Sequence, residues 1–162
     1  MISAVRIASA AELPALGDVE RAADGMFASV GIVFPPGAAV VETVADPADV
    51  LVTGDPPVAF AYTGPLDGHL HVHQIAVRPD HTRRGLGTAL MNAVFARAGA
   101  RSVTLTTFAD VPWNGPWYRG LGFTVLEQPG PELGKLVIEE RRAGLDALGA
   151  RLVMIRRART GT

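Results

Sequence analysis

The sequence predicts a mixed α+β fold, a mostly antiparallel sheet of about six to seven strands flanked by helices. Short β-like runs separated by Gly/Pro turns follow one another at residues 50–78, as in a meander. A strand–helix–strand unit spans residues 69–107, which adds a parallel pair to the hairpins. The composition, 48% apolar and 19% charged over 162 residues, suits one folded domain, 1–162.

Residues 2–7 are short and β-branched and read as the first strand. Ser9 stands where it would cap a helix with Glu12 in its first turn and Leu13, Leu16 and Val19 on its apolar face. Residues 25–37 are apolar but broken by Gly and Pro. They read either as a loop exposing Met26, Phe27 and Phe34 as a candidate pocket wall or as a second short helix over the sheet. Strands are expected at 50–53, 57–63 and 69–78, with turns at 54–56 and 64–68. A helix follows through Leu86, Leu90, Val94 and Phe95, and Gly99 is its expected C-cap. Residues 102–108 read as a strand, 113–119 as a short helix ending at Gly120, and 123–127 as a strand. The run 131–148 is helical, and 151–157 closes as a strand. With 18 glycines and 12 prolines, turns are many, yet no repeat or linker divides the chain.

Charge and cysteine content narrow the function. Fifteen Lys and Arg against sixteen Asp and Glu leave a net charge of −1, which argues against a nucleic-acid binder driven by a global basic field. With no cysteine, there is no disulfide, thiolate nucleophile or cysteine-bound metal. The first residues lack a signal-peptide pattern, and no apolar window reaches ~18–20 residues. The expectation is a soluble cytoplasmic protein with neither nucleic acid nor membrane as a partner.

The strongest chemical signal lies at residues 77–90. A strand ends at Pro79, a basic turn follows, and Gly85 and Gly87 open an amphipathic helix. Free amides at a helix start, with the positive end of the dipole, suit an anionic ligand, and Arg83 and Arg84 add charge. The turn is not a Walker loop, because no Gly-Lys-Ser/Thr follows. A second block, residues 113–123, places Tyr118 one helical turn after Asn114 and ahead of Gly122 and Phe123. A phenol can donate a proton while staying neutral at physiological pH; the plain alternative is a core tyrosine. Third, His69, His71 and His73 alternate along one strand face. They spread over roughly 13 Å, too far to meet one metal, so no metal is expected.

With these blocks the chain resembles the GNAT superfamily of acyl-CoA-dependent N-acyltransferases. The family's pyrophosphate loop, Arg/Gln-x-x-Gly-x-Gly/Ala at a strand-to-helix junction, corresponds to Thr82-Arg83-Arg84-Gly85-Leu86-Gly87. Thr82 stands where the family usually has Arg or Gln. The family's Tyr-x-x-x-Gly-Phe signature corresponds to Tyr118 through Phe123. The match is specific over residues 70–123 and looser outside them.

The resemblance implies a V-shaped splay between two central strands and acetyl-CoA as cosubstrate. It implies that residues Thr82 to Thr88 hold the pyrophosphate, that Ile75, Ala76 and Val77 run beside the thioester, and that Asn114 contacts CoA. Tyr118 is then the general acid for the leaving thiolate. The family often carries a Glu as base on the strand at 69–77. This chain has none there, which leaves His71 or His73, or histidines that merely sit on a polar face. The implied reaction is direct attack of an amine acceptor in a ternary complex. Two rivals stay open, a non-catalytic acyl-CoA-binding module and a nucleotide-phosphate-binding protein, and a homodimer is left open as well.

Overall fold

The computed structural model describes residues 4–158. In chain order, β1 (Val5–Ile7) leads through a 3-10 turn at Ala10–Glu12 into α1 (Leu13–Asp24). Further 3-10 turns at Gly25–Val30, Val40–Thr43 and Pro47–Asp49 precede β2 (Val50–Thr53), β3 (Ala59–Leu66) and β4 (His69–Val77). Another at Pro79–His81 precedes α2 (Leu86–Ala98) and β5 (Val103–Phe108). Then come α3 (Gly115–Gly120), β6 (Thr124–Val125), α4 (Pro131–Arg142), α5 (Leu145–Leu148) and β7 (Arg151–Arg156). Residues 2 and 3 of the expected first strand lie outside the described residues.

The strands follow the order β1-β2-β3-β4-β5-β7-β6, the expected mixed and mostly antiparallel sheet. β1 runs antiparallel to β2 from Val5↔Thr53 to Ile7↔Leu51, and β2 antiparallel to β3 from Val50↔Tyr62 to Thr53↔Ala59. β4 is parallel to β5, with Leu70↔Val103 and His71↔Thr104. β7 pairs antiparallel with β5 (Val103↔Arg156 to Phe108↔Arg151) and with β6.

Four expectations change in detail. Ser9 caps through its backbone: its N–H donates to Glu12 Oε1 at 3.0 Å, while Arg6 grips both Glu12 oxygens at 2.7 Å. Residues 25–37 hold a 3-10 turn, between the loop and the short helix that were left open. The turn expected at 64–68 shrinks to Asp67 and Gly68, whose φ values of 54° and 78° make the tight left-handed hairpin that Asp-Gly favours. Gly64 and Pro65 therefore stay in β3. The helical run 131–148 is broken at Ala143 and Gly144.

The chain forms two compact units. The first comprises residues up to Gly64 together with Val72–Arg97. Its core gathers Leu16 and Val19 of α1, Val50 and Val52 of β2, Phe60 of β3 and Ala76 of β4, all buried. The second comprises Pro65–His71 and the chain from Ala98 onward. It buries Val103, Leu105 and Phe108 of β5, Tyr118, Phe123, Leu133, and Met154 and Ile155 of β7. Among the described residues no helix is long and apolar enough to cross a membrane.

Candidate functional site

In the first unit the Gly-rich turn is built as a sequence of braces. The Arg78 N–H donates to the Val58 carbonyl at 2.9 Å, which anchors the end of β4. Pro79 starts a 3-10 turn, and the Thr82 hydroxyl closes it by donating to the Pro79 carbonyl at 2.9 Å. Arg83 then takes φ 63° and Gly85 φ 78°. A left-handed arginine costs about 1–2 kcal/mol, strain of the sort that clusters at ligand sites. The Ala89 N–H is bonded to the Gly85 carbonyl at 3.0 Å. The N–H groups just before it belong to the first helical turn, which has no intrahelical acceptors to offer them. Arg83, Arg84, Gly85 and Thr88 are exposed, while Leu86 is buried and pins the helix start. The turn thus offers solvent a strained, basic, donor-rich face.

Along β4, the Ile75 N–H donates to Gln74 Oε1 at 3.0 Å. This amide is capped by a side chain that a ligand carbonyl could displace. Ala76 is buried in the core, and Val77 is half-buried. His73 is half-buried, its ring 4.7 Å from that of Tyr62. Burial holds its pKa below the ordinary imidazole value, an effect that the Asp49 carboxylate partly offsets. His73 is therefore neutral at pH 7 and able to accept a proton.

Met26, Phe27 and Phe34 are half-buried, and the two phenyl rings meet edge to face at 5.2 Å. They follow Asp24, the last residue of α1. Burial, and then the nearby Glu20 carboxylate, push the Asp24 pKa up to about 7. Glu20 is itself buried and fully used, accepting from the Val40 and Val41 N–H groups at 2.7 and 2.9 Å.

In the second unit, α3 places Tyr118 and Asn114 one turn apart, with the Tyr118 N–H donating to the Asn114 carbonyl at 2.9 Å. Thr107 Oγ1 donates to Asn114 Oδ1 at 2.6 Å, which leaves the amide nitrogen of that side chain for other partners. Tyr118 is 7% exposed, packed against Trp117 and Phe123. Burial pushes its pKa well above the usual phenol value, and the charge of Arg151 offsets only part of this. The phenol holds its proton at any physiological pH. Among the described residues its hydroxyl has no hydrogen-bond partner, yet it is not a sealed orphan; that condition belongs to Arg151 Nε.

The two histidines expected to compete as base have different surroundings. His71 is 1% exposed, and its Nδ1 shares a hydrogen bond of 2.8 Å with Thr104 Oγ1 on β5. That makes it a part of the sheet interior. The first unit therefore holds the Gly-rich turn, Ile75 to Val77, His73 and the Met26/Phe27/Phe34 group. The second holds His71, Asn114 and Tyr118.

Sequence reasoning missed Tyr62, Asp24 and Arg151. Tyr62 sits in an alanine-rich strand without a motif, and Asp24 looks like any helix-end acid. Arg151 is held by Glu140 at 3.3 Å and Thr106 at 3.1 Å and lies 4.5 Å above the Phe108 ring, partners that no local pattern announces. Among the described residues no group of three or more His, Cys, Asp or Glu could hold a metal ion.

A family model described as Acetyltransferase (GNAT) family matches residues 38–123. A mycothiol acetyltransferase from Kineococcus radiotolerans is 36% identical over 78 residues, which is 44% of this chain and 26% of that protein. The chain thus spans about a quarter of that relative. The fold resembles the ribosomal-protein-S18-alanine N-acetyltransferase of Escherichia coli, with a TM-score of 0.68 at 20% identity, covering 99% of this chain and 97% of that one. It also resembles N-acetylglutamate synthase from Neisseria gonorrhoeae, solved with coenzyme A and L-arginine. There the TM-score is 0.65 at 14% identity, over 98% of this chain and 34% of that one.

Proposed function

The chain belongs to the acetyltransferase (GNAT) family, and from that premise we infer that it is an acetyl-CoA-dependent N-acetyltransferase acting on an amine. The observation that carries this reading is the strained turn from Thr82 to Thr88, a basic helix start rich in free amides. Such a face suits a pyrophosphate, and the residues present fit one: backbone donors, two exposed arginines and a glycine at the point of closest approach. The bound cosubstrate supplies an activated acetyl thioester. Ile75, Ala76 and Val77 run beside it, and the Ile75 amide exchanges Gln74 Oε1 for the acetyl carbonyl. Asn114 adds a contact through its side-chain amide.

The amine nitrogen bonds to the acetyl carbon and the carbon–sulfur bond breaks. His73, neutral through burial, takes the amine proton, and Tyr118 gives its proton to the departing thiolate. The chain has no cysteine, so a cysteinyl acyl-enzyme has no place in the scheme. His73 is preferred to His71 because the latter is buried on Thr104. Met26, Phe27 and Phe34 line the acceptor side, where a small molecule or peptide end with an apolar part fits best.

Thermal-shift measurements with acetyl-CoA, ATP and NAD test the ligand. Stabilisation by acetyl-CoA alone is expected, whereas stabilisation by ATP or NAD but not acetyl-CoA would replace the reading with a nucleotide-binding one. A screen of amines, amino acids and peptides with a free-thiol readout then finds the acceptor. No turnover with any acceptor would point to a non-catalytic acyl-CoA-binding module.

A further inference from the structure

β3 meets His73 at two of its residues. The Tyr62 ring lies 4.7 Å from the imidazole at an interplanar angle of 35°. Tyr62 also packs against the buried core of the first unit, which backs the ring as a wall. Two residues on, a Cβ added at Gly64 would fall 2.9 Å from His73 Nε2 and 3.4 Å from Cδ2. Real Cβ atoms essentially never come that close to another heavy atom. A side chain at position 64 would therefore oblige the imidazole to shift.

We propose that Tyr62 and Gly64 are positioning residues that seat the His73 imidazole for catalysis, one as a wall and the other as the gap it rests in. The proposal rests on the assignment of His73 as base. A seated imidazole keeps one rotamer and one degree of burial, and both matter for a base. The rotamer sets the direction of the lone pair, and a misplacement of about 1 Å can cost on the order of 100-fold in rate. The burial keeps the ring neutral, as the lowered pKa of His73 requires. Among the titratable groups facing the ring from neighbouring elements are Tyr62 on β3 and Asp49, which directly precedes β2. The Asp49 segment is tied to β3, because Thr63 Oγ1 donates to the Asp49 carbonyl at 3.2 Å. The seat and the Asp49 charge therefore share a single scaffold.

The test pairs NMR titration of the His73 ring with the pH dependence of kcat/KM, in the full chain, for Gly64→Ala, Tyr62→Ala and Tyr62→Phe. In Gly64→Ala the ring is pushed outward and rehydrated, so its pKa rises toward the ordinary value of about 6.5. The acid limb of kcat/KM moves with it, and kcat/KM falls about tenfold or more while the KM for acetyl-CoA holds. Tyr62→Ala moves both readouts the same way, and Tyr62→Phe, which keeps the ring face, recovers them. Melting curves identify any variant that fails to fold; if Gly64→Ala does, the Tyr62 pair decides alone. Folded Gly64→Ala and Tyr62→Ala proteins with unmoved titration and unmoved limb overturn the proposal. A moved titration with an unmoved limb overturns it differently: the base assignment is then what fails.

Discussion

Asp67 and Glu132 cap each other. The Asp67 N–H donates to Glu132 Oε1 at 2.9 Å, and the Glu132 N–H donates back to Asp67 Oδ1 at 2.9 Å. The second Asp67 oxygen accepts from the Leu133 N–H at 3.0 Å, so one carboxylate serves two of the orphan donors at the start of α4. The bridge ties the β3–β4 turn to a helix 65 residues further along. Asp67→Ala strands those donors and should cost about 1–2 kcal/mol, read as a lower melting temperature. Glu132→Gln keeps an acceptor oxygen and should cost less. Equal melting temperatures for wild type and Asp67→Ala would show the bridge to be stabilising nothing.

Tyr118→Phe separates chemistry from packing. The ring stays between Trp117 and Phe123, and the lost hydroxyl leaves no protein partner behind. An unchanged melting temperature and unchanged acetyl-CoA affinity are expected, with kcat down by about 10²–10⁴-fold. Near-normal turnover in this variant would sink the general-acid role while leaving the cosubstrate site intact.

Gly87→Glu tests the turn. Gly87 is the second residue of α2, within the first turn whose amides are free. A carboxylate there opposes a pyrophosphate by charge and by bulk. Acetyl-CoA affinity measured by calorimetry should fall about tenfold or more. Unchanged affinity in a folded variant would move the pyrophosphate elsewhere.

Asp24 makes stability depend on pH. Its pKa is raised from 3.8 to about 7, so the folded chain keeps a proton that the unfolded chain loses near pH 4. The stability associated with that proton is complete below about pH 4 and is lost as pH rises through 7. Asp24→Asn removes the penalty of the buried charge. Its melting temperature should exceed that of wild type at pH 8 and match it near pH 4. A difference that does not vary with pH would show that Asp24 is not perturbed.

Much of the candidate site's local structure was legible because its signals are local. The strand end, the basic turn and the two glycines lie within residues 77–90, although the left-handed Arg83 does not follow from its residue type. Tyr118 and Asn114 are one helical turn apart, so their shared bond follows from spacing. Asp67-Gly68 was equally local, yet the run 64–68 hid it, since Gly64 and Pro65 carry turn signals of their own. A Cβ at position 64 would crowd the His73 imidazole, and nothing beside Gly64 in the sequence says so.

His71 and His73 mark the division most sharply. The sequence alone determined that two histidines sit two residues apart on one strand, facing the same way, beside a turn suited to an anion. Only the tertiary structure gives them different surroundings. His71 meets Thr104 of β5 and disappears into the sheet, while His73 meets Tyr62 and the field of Asp49 and stays half-buried. Desolvation and hydrogen bonding set what an imidazole can do, and both are supplied by residues far away along the chain, brought close by strand pairing and packing.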